Sequence, residues 1–177
     1  EPRYTYHSCR NRHCPKCQCL TKARWLAARK AELLPASYFH VVFTVPHELN
    51  PLALFNKKQV YSLLFQAVSK TLGAFGEKTL GGAIGATMIL HTWDQRLNAH
   101  LHIHCAVPGG ALSEEGWVPA RENFLFPVKA MAVMFRGKFL DGLKRIHSRE
   151  EITGPADFNS LVRSVYEKEW VVFAKPA

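Results

Sequence analysis

No stretch of this 177-residue chain reaches the ~18–20 consecutive apolar residues that a membrane-spanning helix needs. Nothing at Glu1-Pro2-Arg3-Tyr4 resembles the apolar core of a secretory signal, and no initiator Met stands there. The sequence therefore reads as an internal piece of something longer. Internal repeats and low-complexity tracts are also missing. Acidic side chains are the scarce sign, 14 Asp and Glu against 23 Lys and Arg, for a formal charge of +9. With 47% apolar and 21% charged residues, a disordered chain is excluded and one ordinary domain with a small appendage is expected.

The basic excess is uneven. Residues 1–35 hold eight Lys and Arg against Glu1 and Glu32, residues 36–127 balance six against six, and residues 128–177 carry nine against six. Positive ends flanking a neutral middle form an electrostatic footprint for a polyanion, nucleic acid first. A solvated face that keeps the protein dissolved is the competing reading.

Cysteine is sparse, and it is clustered. Cys9, Cys14, Cys17 and Cys19 fall within eleven residues, while Cys105 stands apart. Disulfide frameworks spread their cysteines along the chain, so the cluster points to a metal knuckle in a reducing, cytoplasmic compartment. Cys14-Pro15-Lys16-Cys17 is a C-x-x-C turn whose thiolates reach a single zinc at about 2.3 Å. Cys9, His7, His13 and Cys19 are candidates for the remaining ligands. A redox C-x-x-C is the rival, weakened because no thioredoxin-like strand precedes the motif.

Periodicity places the elements. Residues 22–34 read as a basic helix stopped by Pro35, and 38–45 (YFHVVFTV) as a central strand ending at Pro46. Residues 56–75 repeat apolar side chains at helical spacing, from Val60 to Phe75. Strands follow at 86–93 and 100–107, joined by a polar turn, then a small ribbon at the sheet edge within 111–127. Helices at 128–147 and 157–168, the second with Asp157 as N-cap, precede a last strand at 170–174. This order predicts an α+β fold, a mainly antiparallel central sheet with helices packed on it, preceded by the zinc-knuckle segment. Residues 1–35 would form the knuckle and basic helix, and 36–177 the main domain.

His100-Leu101-His102-Ile103-His104 carries the most chemistry. Alternation along a strand sends His100, His102 and His104 to one face, where imidazoles two residues apart, about 6–7 Å, can converge on one divalent ion. His91 on the preceding strand can join them, and Asp94 and Gln95 are further candidates. Three imidazoles on a short strand add little β-propensity and repel when protonated, which favours a metal site over an idle polar face.

Three segments together resemble a known family: residues 6–18 (YHSCRNRHCPKCQ), residues 38–47 (YFHVVFTVPH), and HLHIHC at 100–105 followed by Pro108-Gly109-Gly110. They are similar to the rolling-circle insertion-sequence transposases of the two-tyrosine HUH class, named for His–hydrophobic–His. Carried over, that motif falls on His102-Ile103-His104, with His100-Leu101-His102 an overlapping frame. The resemblance implies an HUH endonuclease-like fold and a divalent ion, Mg or Mn, held by His102 and His104 with His100 and His91. It also implies structural zinc on Cys14 and Cys17 with Cys9. The implied partner is single-stranded DNA at element ends, tracked by Arg10, Arg12, Lys16, Lys22, Arg24, Lys138 and Arg145. Trp25, Trp93 and Tyr38 are candidates to stack on bases, with core packing the favoured competing role.

The family cuts DNA with a tyrosine from a Y-x-x-x-Y helix downstream of the histidine strand. Of five tyrosines, only Tyr166 is downstream, with Val162 and Trp170 where a partner would stand. The pair is therefore expected beyond Ala177. Two other classes compete: a zinc-containing DNA-binding or regulatory module that never cleaves, and a hydrolase using the histidines with water. The hydrolase is weakened because Asp94 alone offers a carboxylate near the strand.

Overall fold

The computed structural model describes residues 7, 9, 11 and 14–177, which fall into two compact units, 1–36 and 37–177. Arg10, Arg12 and His13 lie outside the described residues.

In the first unit the C-x-x-C turn runs straight into helix α1 (Cys19–Ala31), because main-chain bonds from Gln18 N–H to Cys14 O and Lys22 N–H to Gln18 O continue without a break. The helix therefore begins a turn before residue 22. It also stops short of residue 34, where Pro35 disfavours helical geometry in the residue before it. No side chain of α1 is buried, so Lys22 and Arg24 are exposed. Arg29 and Lys30 in the last turn suit the negative end of the helix dipole.

The second unit is built on strands β1 (Tyr38–Thr44), β2 (Thr87–Trp93), β3 (Ala99–Pro108) and β6 (Val171–Pro176). Their order is β2-β3-β1-β6 with every pair antiparallel, so β1 is central as its apolar run predicts. Phe39, Val41 and Phe43 of β1 and Leu101, Ile103, Cys105 and Val107 of β3 enter the core at 3% exposure or less. Helices α3 (Lys57–Phe75) and α4 (Val128–Ser148) cover this inner face, Phe135 meeting Phe43 and Trp170 with ring centroids 5.1 and 5.2 Å away. Gly142 lets the two helices close, since a Cβ there would lie 2.3 Å from Cδ1 of Leu63. Helix α5 (Phe158–Tyr166) is capped by Asp157, whose Oδ1 accepts from Ser160 N–H at 3.1 Å.

Several local details depart from the sequence reading. A 3-10 turn (His47–Leu49) and helix α2 (Asn50–Phe55) fill the stretch between the first strand and α3, with Pro51 in the first turn where its missing N–H costs nothing. A π turn (Gly76–Leu80) extends α3 and ends at Gly81, whose φ of 68° suits a residue without a side chain. The ribbon, β4 (Gly110–Ser113) with β5 (Gly116–Pro119), is a separate two-stranded sheet rather than an edge of the main one. β6 runs on through Lys175 and Pro176, which an edge strand tolerates because its outer N–H groups have no partner to lose.

Candidate metal centre

The pleat sends alternate side chains of the main sheet to the outer face, and residues directly opposite across a strand pair share that face. The registers give three adjoining rows: Thr87–Ala106–His40–Lys175, Ile89–His104–Val42–Phe173, and His91–His102–Thr44–Val171. Ile89, Phe173 and Trp93 on this face are 42%, 48% and 50% exposed. The outer face is therefore open around a central group of histidines.

Three of those histidines converge. One ring nitrogen each of His91, His102 and His104 lies within 4.8 Å of the others. The ring centroid of His91 is 5.2 Å from that of His102 and 4.4 Å from that of His104. His102 is held by its own strand, its Nδ1 bonded to the main-chain oxygen of His100 at 2.9 Å, which leaves Nε2 as its lone-pair nitrogen. Burial, aided by the neighbouring His91, His102 and His40, holds the His104 imidazole down to about 4. Burial likewise lowers His102, against the raising influence of its bond to His100 O. Both rings stay neutral near pH 7, so each keeps a lone pair for a ligand. Three imidazoles whose nitrogens converge in this way fit a first-row divalent ion.

His100 stands one step outside this triad. Its ring packs 4.7 Å from that of His102 and its carbonyl orients that ring, so it serves as a support among the described residues rather than as a member of the converging set. Asp94 is committed to its turn: its carboxylate accepts from Arg96 N–H, Asn98 N–H and Asn98 Nδ2 at 2.8, 2.9 and 3.1 Å. Those bonds, the Asn98 side chain first, lower its carboxyl and leave it outside the triad. Gln95 is exposed in the same turn.

The sequence reading omitted His40. Its Nε2 lies 2.7 Å from Nδ1 of His104. The signal available was its parity: in YFHVVFTV, His40 falls on the outward positions that Tyr38, Val42 and Thr44 share. Lys175 is another omission, read as a strand stop yet placed on the outer face opposite His40. Lys138 and Arg145 belong to α4, on the helix layer across the sheet from the histidines. Trp93 is exposed on the open face and Trp25 is 46% exposed on α1, so core packing is not their role; Tyr38 is half-buried.

A second group lies in the first unit, where Sγ atoms of Cys9, Cys14 and Cys17 also come within 4.8 Å. Cys9 and Cys17 sulfurs are 3.3 Å apart, Cys9 N–H reaches Cys17 Sγ at 3.3 Å, and Cys17 N–H reaches Cys14 Sγ at 3.5 Å. The main-chain bond at Asn11 lowers the Cys9 thiol, but the crowded Cys17 and Cys14 outweigh it and raise it. A cation relieves such crowding, and the thiolate set fits zinc. Lys16 is exposed within the knuckle turn, while Cys19 and His7 are exposed and outside the triad.

The metal-free structure of the conjugative relaxase TrwC in complex with OriT DNA matches 60% of this chain and 44% of its own, with a TM-score of 0.51 at 14% identity. Its metal-bound structure with OriT DNA matches 62% and 44%, with a TM-score of 0.53 at 13% identity. The main unit therefore has the relaxase, HUH-type fold. A family model described as "Putative transposase" matches residues 85–177, and one described as "Transposase zinc-binding domain" matches residues 1–45. The chain belongs to this transposase family, of the rolling-circle insertion-sequence type, with an N-terminal zinc-binding region. Curated relatives include "Putative transposase y4qJ" of Sinorhizobium fredii, 42% identical over 187 residues, covering 98% of this chain and 47% of the relative. The transposase for insertion sequence element IS801 of Pseudomonas savastanoi pv. phaseolicola is 32% identical over 114 residues, 64% of this chain and 27% of that one. The chain thus spans less than half the length of either relative. Among the described residues, no helix is long and apolar enough to cross a membrane.

Proposed function

We propose that this chain supplies the metal centre and the DNA-binding surface of a transposase that cuts and rejoins single-stranded DNA at element ends through a tyrosine. The observation that carries the reading is the convergence of His91, His102 and His104 on the open face of an HUH-type sheet. His102 keeps Nε2 as a lone pair because its Nδ1 proton is engaged by His100 O, and burial keeps the ring of His104 neutral. The ion, Mg or Mn, would supply Lewis-acid stabilisation of charge on the scissile phosphate.

A single strand drawn over the open face meets Phe173 and Trp93, aromatic rings on which bases stack, and the apolar Ile89, with Lys175 and Arg96 for phosphates. Residues 1–35 act as a zinc knuckle and basic helix in which Arg10, Arg12, Lys16, Lys22 and Arg24 contact backbone phosphates; Lys138 and Arg145 do so on the helix layer. Residues 36–177 form the nuclease domain, and the tyrosine pair comes from a helix past Ala177. Neither Tyr61 on α3 nor Tyr166 on α5 belongs to the outer face. Such a protein works in the cytoplasm at the nucleoid.

The test uses a protein extended past Ala177 to include that tyrosine helix. With a single-stranded element end and Mn2+, it forms a denaturation-resistant protein–DNA adduct, and the paired change His102→Ala with His104→Ala removes both the adduct and Mn2+ binding. Binding of the strand without any adduct would favour the non-cleaving zinc module instead.

A further inference from the structure

The contact between His40 and His104 is a hydrogen bond in the plane of both rings. Their planes differ by 7°, their centroids are 5.0 Å apart and their nearest nitrogens 2.7 Å apart. That centroid separation is what two imidazoles need when they meet nitrogen to nitrogen in one plane, the N···N distance plus one ring radius on each side. Rings stacked face to face would not put nitrogens at hydrogen-bond range while their centres stay so far apart. The lone pair and the N–H of an imidazole both lie in the ring plane, so the arrangement is a well-aligned N–H···N bond. Phe173 packs its edge against His40 at 74° and 6.5 Å, beside the pair on the same face.

One proton occupies the gap between the two nitrogens, and it can be placed in two ways. If it sits on His40 Nε2, His104 carries its own proton on Nε2, the nitrogen that remains for an ion once Nδ1 is engaged by His40. If it sits on His104 Nδ1, His40 Nε2 accepts it and His104 Nε2 is free. His102 is already fixed in the equivalent state by the carbonyl of His100. An ion on the triad is compatible with the second arrangement alone. Ligating histidines usually hand their other N–H to a carboxylate, carbonyl or water; here a fourth histidine from the neighbouring strand stands in that place.

We propose that His40 is a positioning residue for the metal centre: its Nε2 accepts from Nδ1–H of His104 and fixes the tautomer and ring plane in which His104 Nε2 meets the ion. The proposal rests on the metal reading given above and adds a residue to it. The acceptor, rather than ring packing, is what matters. Gln places its Oε1 near the position of a histidine Nε2, whereas Phe keeps a ring there and removes the acceptor.

Mn2+ binding by the 177-residue chain, followed by electron paramagnetic resonance of the free ion, tests this because hard Mn2+ competes poorly for the cysteine thiolates. His40→Phe is expected to weaken binding about 10–100-fold, and His40→Gln to stay close to wild type. Far-UV dichroism checks that both variants fold. An independent readout is nitrogen-15 NMR of the Zn2+-loaded chain, which should show coupling across the bond between His104 Nδ1 and His40 Nε2, with the proton on His104. Wild-type affinity in His40→Phe, equal weakening in both variants, or the proton on His40 Nε2 would overturn the proposal. If the wild-type chain binds no Mn2+ at all, the metal reading itself fails. Loss of binding in His91→Ala with none in His40→Phe sinks the positioning role alone.

Discussion

Acid should destabilise the main unit through His104, and the size of the effect follows from its surroundings. A free imidazole titrates near ~6.5, whereas folding holds the His104 ring at about 4, chiefly by burial. Above pH 6.5 both folded and unfolded chains carry it neutral and the group contributes nothing. As pH falls from 6.5 toward 4, the unfolded chain takes up the proton and the folded one does not, so stability falls; below 4 the loss levels off. At about pH 5, linkage gives a penalty of about 2 kcal/mol, and partial exposure of the site trims it to about 1 kcal/mol. His102, lowered by the same burial, adds a loss of the same sign. Urea denaturation of the chain in chelator, at about pH 7.5 and about pH 5, measures this against His104→Gln, in which the cysteine segment is unchanged and cancels. Wild type should lose about 1 kcal/mol more than the variant between the two conditions. Equal losses, or a wild type that gains stability in acid, would refute the burial argument.

At the helix crossing, Gly142→Ala forces a Cβ against Leu63 and should cost about 1–3 kcal/mol in thermal or urea unfolding. Adding Leu63→Ala should recover part of that cost, and strict additivity of the two changes would rule out the contact as its cause. Replacing the Asp157 cap with Ala should cost about 1 kcal/mol and fray α5, read as faster amide exchange at Ser160. In the knuckle, Cys17→Ser should remove the stoichiometric zinc detected by elemental analysis, since its sulfur lies 3.3 Å from that of Cys9 and within 4.8 Å of that of Cys14.

Elements whose signal is local were readable from the sequence. The run YFHVVFTV announces a buried strand by its own composition, and the apolar positions from Val60 to Phe75 announce α3 by spacing, each of Val60, Leu63, Leu64, Ala67, Val68, Leu72 and Phe75 being buried as the period requires. The histidine alternation on β3 placed His102 and His104 on one face for the same reason. What depends on pairing was not readable. That His40 meets His104, 64 positions away, follows from the antiparallel register of β1 against β3, which no local pattern encodes. The side of the sheet on which Lys138 and Arg145 stand is equally a property of packing, so charge alone assigned them to DNA without saying which face they occupy. Helix α2 escaped because six residues, NPLALF, are too few for a helical period to show.

Cys105 lies directly between His104 and Ala106, yet its sulfur turns inward: it is fully buried, and burial pushes its thiol up to about 12. A thiol that is neither reachable nor ionised is a poor nucleophile toward alkylating reagents. Mass-spectrometric counting of alkylated sulfurs on the native chain should therefore register the four at the amino end and skip this fifth one until the sheet opens. The same reagent then reports metal release at the knuckle from fast labelling and global unfolding from slow labelling, with no engineered probe.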